Sequence, residues 1–247
     1  MGGFFMAVLR PELPTTERTA PRDHLFILDS SYSTGQRGWA LQAAALEAYL
    51  GEMDLRSKFN VMACDSRCAT WSPVAKAPSA AARKEALSFV KTHKTGGASD
   101  VQGAFEEAAA KIAAMGKGVR VIYMGDGKPT AGEMREPQLA RLVVDALGRV
   151  GATLDMIQVG EDAAALFMAQ ATRRLSGAVH PLGAGDDVAG RVFDVVAAQY
   201  RPTLTDLEIS VEGELGVHHV SPGQLASVSG GSELVLVGRY GAGGAGA

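Results

Sequence analysis

A chain of 247 residues, 47% hydrophobic and 21% charged, carries enough apolar side chains for one substantial core. A net charge of −3 with no Lys/Arg cluster excludes a surface built to coat nucleic acid. No apolar run nears the roughly 20 residues that span a bilayer, and "FFMAVL" (4–9) is too short and has no basic segment before it to act as a secretory signal, so a soluble chain without direct membrane insertion is expected.

In chain order, residues 1–20 read as a strand and linker, with "FFMAVLRPEL" (4–13) extended. "HLFILD" (24–29) is an apolar strand, followed by a helix from about Trp39 to Met53. "KFNVMACD" (58–65) is a second strand. "PSAAARKEALSFVKTH" (78–93) is a helix opened by Pro78 and Ser79. A long Ala-rich helix runs from about Asp100 to Met115, then "VRVIYMGD" (119–126) is a strand. A helix from about Pro137 to Val150, the strand "TLDMIQVG" (153–160), a helix near 162–175, the strand "AVHPL" (178–182) and a helix over 187–200 complete the series.

Strands that are apolar throughout and separated by helices predict an α/β fold: a doubly wound, mostly parallel sheet covered on both faces. Ligands of such sheets bind beyond the carboxyl ends of the strands. Asp29 and Asp126 stand at two such ends, so they are expected to converge. The chain ends differ. Residues 202–241 contain the strand runs "LTDLEISV", "LGVHHV" and "ELVLVGRY", broken by Gly213, "SPG" (221–223) and "SGGS" (229–232). A small β unit built from both ends, with the α/β domain (21–201) inserted between them, is expected. The tail 242–247 is low-complexity Gly/Ala and expected to be flexible.

Cys64 and Cys68 sit four apart. On an extended segment they share a face but lie too far apart to bridge easily, so two reduced thiols are expected. A metal or redox pair finds no further Cys and no nearby His to complete it. His218 and His219, adjacent in a strand, are expected to face opposite sides, which disfavours joint ligation.

Three polar loops remain. "DSSYS" places Asp29, Ser31 and Ser33 in the pattern D-x-S-x-S. "TGGASD" (95–100) is Gly-rich and precedes a helix. "MGDGKPTAGE" (124–133) flanks Asp126 with Gly125 and Gly127. A hard divalent cation takes about six oxygen ligands, some of them water. Acids and neutral hydroxyls from three loops would hold it while leaving it open to one more anionic oxygen.

These loops resemble those of a von Willebrand factor type A domain with a metal-ion-dependent adhesion site. The similar text is "LFILDSSYS", "SKFNVMACDSR", "GGASDVQGAFEEA" and "VIYMGDGKPTAGE", covering 24 to about 200. Within that superfamily the chain is most similar to the inter-α-trypsin inhibitor heavy-chain branch, whose members carry a VIT domain ahead of the A domain. The opening dozen residues resemble the strand linking those two domains, which suggests a piece of a longer chain. The resemblance implies Mg²⁺ (or Mn²⁺ or Ca²⁺) near Asp29, Ser31, Ser33 and Asp126, with the serines as direct ligands and the acids often acting through water. In the second loop, counting back from Ala104 and Phe105 puts Ser99 at the family's Thr place and Asp100 next. Counting forward from Gly96 and Gly97 puts Ala98 there instead. The helix register favours Ser99. Tyr32, Gly97 and Lys128 are expected to form the rim that meets a partner protein through its Asp or Glu carboxylate.

Plainer readings exist. "DSSYS" alone could be a helix N-cap region, and "DGKPT" alone a turn. Catalytic readings lack their motifs, with neither G-x-S-x-G nor a P-loop present, so no catalytic residue is assigned. "TGGASD" could cradle a phosphate at a helix N-terminus, which keeps a nucleotide- or phosphate-binding domain with phosphoryl-handling activity as the alternative.

Overall fold

The computed structural model describes residues 2–10, 21–116, 118–199, 203–207, 209–210, 216–222, 225–229 and 233–241. They divide into two compact units, Ala20–Gln199 and the two chain ends.

In the larger unit the apolar runs become strands with little solvent exposure. All six residues of β2 (His24–Asp29) and of β3 (Phe59–Cys64) are buried. β5 (Arg120–Gly125), β6 (Thr153–Val159) and β7 (Val179–Leu182) continue the sheet, and the short β4 (Cys68–Thr70) joins its edge. The order is β4-β3-β2-β5-β6-β7, parallel except for β4 against β3.

Burial on both faces requires helices on both. α1 (Gly35–Glu52) packs with α2 (Ala80–Thr92) and α6 (Val188–Gln199) on one side; α3 (Val101–Met115), α4 (Glu136–Arg149) and α5 (Ala165–Arg174) pack together on the other. Strand alternation divides the core. Leu25 and Ile27 join Phe105, Tyr123 and Phe167 under α3 and α5. Phe26 turns the other way and meets the Tyr49 ring of α1 edge-on at 5.0 Å. Each such side chain, fully buried, contributes roughly 1.5–3 kcal/mol.

α1 begins at Gly35, four residues before the expected Trp39, because a 3-10 turn over Tyr32–Thr34 runs directly into it. Its first turn, Gly-Gln-Arg-Gly, shows water no apolar face, so periodicity could not reveal it.

The cysteine expectation is corrected: Cys64 and Cys68 form a disulfide. The segment is not extended. Asp65 N–H donates to the Arg67 carbonyl at 3.0 Å, and Arg67 N–H donates to Asp65 Oδ1 at 2.9 Å. The chain reverses there, making Cys64 and Cys68 cross-strand partners with Cα atoms 4.1 Å apart.

In the smaller unit β1 (Gly3–Leu9) pairs antiparallel with β11 (Leu234–Tyr240), which also pairs with β9 (His218–Ser221). β8 (Thr203–Leu207) pairs with β10 (Leu225–Ser229), a strand the sequence pattern did not single out. The histidine expectation is also corrected. The β9–β11 register shifts, His219 adopts φ 54°, and the two imidazoles lie 5.0 Å apart instead of on opposite faces. The linker 11–20, Gly213, the turn residues 230–232 and the tail 242–247 lie outside the described residues.

For the larger unit, strand order reverses between β2 and β5, since the chain leaves β2 for β3 and returns to β5 on β2's other side. Open α/β sheets bind ligands at such a switch point. Asp29 ends β2, and Asp126 immediately follows β5.

Candidate metal centre

Asp29 is drawn under the surface by the apolar strand it ends and is 3% exposed. The neighbouring strand accommodates it because residue 125 is glycine: a Cβ there would stand 2.6 Å from the Asp29 Cβ and 2.7 Å from the Tyr123 hydroxyl. Two side chains hold the Asp29 carbonyl, with Thr34 Oγ1 donating at 3.1 Å and Gln42 Nε2 at 3.0 Å. In the carboxylate, Oδ1 accepts the Ser31 N–H at 2.9 Å, while Oδ2 meets the Tyr123 hydroxyl at 3.5 Å, the outer limit of a hydrogen bond.

Ser31 is buried and Ser33 exposed, their hydroxyl oxygens 3.0 Å apart. Neither the 3-10 turn nor α1 receives a side-chain cap, so these hydroxyls are not spent on helix N–H groups as the N-cap reading would require.

The other two loops are tied to the first and to each other. Tyr32 N–H donates to the Gly97 carbonyl at 3.0 Å, and Gly96 N–H to the Ser30 carbonyl at 2.8 Å. Ser99 N–H donates to Thr130 Oγ1 at 2.8 Å, and its carbonyl accepts the Thr130 and Ala131 N–H groups. Asp65 braces the back, its carbonyl accepting Asp100 N–H at 3.1 Å. A small cavity of about 10 Å³ brings Asp29, Ser99, Asp100 and Tyr123 together; Ser99, not Ala98, lines it. That space is near the lower limit for one water. Asp100 has a competing task, since its Oδ1 caps α3 by accepting Gly103 N–H at 2.9 Å.

Asp126 is half-buried. Its carbonyl accepts Ala164 N–H and its Oδ1 accepts Lys128 N–H, both at 2.9 Å. Gly127, at φ 66°, supplies the left-handed turn that points the chain back over the site. Of the expected rim, Tyr32 is 84% exposed, Gly97 is exposed, and the Lys128 ammonium pairs with the Asp162 carboxylate.

Burial, reinforced by the nearby Asp126 charge, pushes the Asp29 carboxyl up to about 6, against the opposing pull of the Ser31 N–H and of the Ser31 and Thr34 hydroxyls. Burial also raises Asp126, opposed by the Lys128 N–H and the Ser33 hydroxyl. Tyr123 is held well above its ordinary value by burial and by both carboxylates. The Asp126 charge raises Asp29, and at Asp126 the Lys128 charge offsets burial only in part. Among the described residues no group of three or more His, Cys, Asp or Glu could hold a metal ion. The donor set is instead two acids with hydroxyl oxygens around them, a composition that fits a hard divalent cation and not a thiolate- or imidazole-loving one.

Sequence reasoning did not single out Thr34, Gln42, Tyr123 or Thr130 as parts of this assembly. Thr130 follows Asp126 within "DGKPT" and was open to notice. Gln42, thirteen residues beyond the acid it supports and inside a helix, carried no local signal.

The family model for the von Willebrand factor type A domain matches residues 23–181. Human inter-alpha-trypsin inhibitor heavy chain H4 is 24% identical over 246 residues; the match covers 96% of this chain and 26% of that protein, so the chain spans about a quarter of that relative. Among solved structures, a von Willebrand factor type A protein from Catenulispora acidiphila superposes with a TM-score of 0.66 at 16% identity, covering 98% of this chain and 66% of that one. Manganese-loaded TRAP protein from Plasmodium vivax has a TM-score of 0.50 at 14% identity, covering 96% of this chain and 82% of that one. At these identities the solved structures speak to fold.

Proposed function

The chain belongs to the von Willebrand factor type A domain family, and from that premise we propose that its α/β unit is a divalent-cation-dependent protein-binding domain, not a catalyst. Ser31, Ser33 and Ser99 would supply neutral oxygens to Mg²⁺ (or Mn²⁺ or Ca²⁺). Asp29 and Asp126 would supply charge directly or through water, and Asp100 stands by in its capping role. The cation offers a Lewis-acidic position to a carboxylate on another protein. The chain's own residues pre-position the donors, since the Thr34 and Gln42 bonds fix the Asp29 backbone and the Ser99–Thr130 bonds fix the second loop against the third.

The observation that carries this reading is a buried carboxylate, Asp29, beside a half-buried one, Asp126, at the switch point of the sheet, with burial raising both and the Asp126 charge raising Asp29 further. A buried charge left in that state costs several kcal/mol unless a cation or proton compensates it. The manganese-loaded relative of the same fold lends support. The phosphate alternative is disfavoured because the Asp100 carboxylate already occupies the N-terminus of α3, where a phosphate would sit.

Calorimetric titration with Mg²⁺ or Mn²⁺ tests the proposal: the wild type should give a binding isotherm and Asp29→Ala none. Indistinguishable heats from the two proteins would remove Asp29 from the site. A rise in melting temperature with inorganic phosphate in EDTA would favour the phosphate reading.

A further inference from the structure

We propose, resting on the metal reading above, that a groove beside the cation site selects the residues flanking the partner's carboxylate. Its occupant is an extended protein segment carrying an aliphatic side chain and a second acid next to the metal-binding one.

The groove has a volume of about 680 Å³ and opens from Ser33 and Asp126, between α1 and the carboxyl ends of β6 and β7. That is the size of a ligand cavity, not of a surface wrinkle. Because Ser33 and Asp126 line it, a segment whose carboxylate reaches the cation has its neighbouring residues directed into the groove. The lining includes Leu41, Val159 and Leu182, the last two buried, which present an apolar surface to whatever enters.

Glycine keeps it open. Gly38 lies within α1, where glycine costs about 1 kcal/mol relative to alanine, and its backbone is not among the positive-φ glycines that would require it. A Cβ at position 38 would meet Thr34 Cγ2 at 3.2 Å and Val159 Cγ1 at 3.7 Å, so any side chain there projects over the apolar lining. Glycine here leaves space over Val159 and spares Thr34, whose hydroxyl holds the Asp29 carbonyl.

Charge decides what enters. On the α1 wall Arg37 is exposed and makes no ion pair or side-chain hydrogen bond among the described residues. On the other wall Lys128 is already paired with Asp162, and Glu161 is exposed. A second carboxylate is therefore drawn to the Arg37 wall and repelled from the Glu161 wall. The cation takes the first acid, the apolar lining an aliphatic side chain, and Arg37 the second acid.

Because the segment's direction is open, a symmetric probe serves: a capped peptide with the core Glu-Leu-Asp-Leu-Glu, compared with Ser-Ser-Asp-Ser-Ser, in Mg²⁺ by fluorescence anisotropy. The first peptide should bind about tenfold more tightly, from one buried aliphatic side chain and one ion pair. Leu41→Ser and Arg37→Glu should each erase most of that advantage, without changing the Mg²⁺ isotherm or the weaker peptide's affinity. Equal affinities of the two peptides for the wild type, or an undiminished preference in both variants, overturn the groove while leaving the metal site intact. Absence of any Mg²⁺ isotherm in the wild type overturns the metal reading and the groove with it.

Discussion

At the amino edge of the sheet Asp155 is 4% exposed and meets Arg120 Nη1 at 2.6 Å. It also accepts the Ala178 N–H at 2.9 Å and stands 3.6 Å from His180 Nε2. At the carboxyl edge Asp29 is buried to the same degree, yet it pairs with no cation among the described residues and the Asp126 charge pushes it further up. Burial pushes both carboxyls upward. At Asp155 the His180 bond and the Arg120 charge outweigh it, and the result is a lowered pKa; at Asp29 nothing does. Equal burial with opposite outcomes separates an acid whose charge is answered within the fold from one whose charge is not. At the amino edge Arg120 answers the charge of Asp155, whereas at the carboxyl edge the Asp126 charge adds to the burial of Asp29.

The largest expected effect comes from breaking the amino-edge ion pair. Arg120→Met strands a buried carboxylate and should lower stability by about 3–5 kcal/mol in urea denaturation. The Mg²⁺ isotherm of the folded fraction should not change. An altered Mg²⁺ affinity would mean that the two edges are coupled and the contrast is false.

The opposite sign is expected at the carboxyl edge. The folded pKa of Asp29 lies above its unfolded value, so ionisation opposes folding of the metal-free protein. That cost is absent below about pH 4, grows as pH rises, and is complete above about pH 6, where it amounts to about 2–3 kcal/mol. Asp29→Asn should therefore stabilise the metal-free protein at pH 7 while abolishing Mg²⁺ binding. In the wild type, Mg²⁺ affinity should fall as pH drops through about 6, where proton and cation compete for the same oxygens. A metal-free Asp29→Asn protein less stable than the wild type at pH 7 would show the acid to be structural.

The smallest effect sharpens the comparison through the disulfide. Cys64 and Cys68 close a short loop that braces the site, since the Cys64 carbonyl accepts Ser30 N–H at 2.8 Å and the Asp65 carbonyl accepts Asp100 N–H. The double variant Cys64→Ser/Cys68→Ser should lose about 2 kcal/mol of stability and bind Mg²⁺ less than tenfold more weakly. Unchanged metal affinity would assign the bridge to stability alone.

Much of this architecture was readable one residue at a time. Runs such as "HLFILD" and "VIYMG" are apolar at every position, which only a strand covered on both faces tolerates, and helical periodicity between them left the α/β fold little competition. Asp29 and Asp126 were legible as candidate site residues because an acid ending an apolar strand is an exception to its own surroundings. The local signal failed where three-dimensional neighbours decide. The bridge that replaced two expected thiols depends on the chain reversing after Asp65 so that β4 pairs back on β3 with Cys68 opposite Cys64. The positive φ of His219, which brought two imidazoles together, depends on a register shift against β11.

The sequence alone determined which segments are buried, and so the sheet, its helices and the edge at which acids and hydroxyls would gather, because hydrophobic periodicity is a local property of the chain. Only the tertiary structure decided that Gln42 holds Asp29 from thirteen residues away, that Thr130 secures Ser99, and that Asp100 spends an oxygen on α3. Those pairings join residues distant in the chain, and their energies exist only once the strands have brought the loops to a common edge.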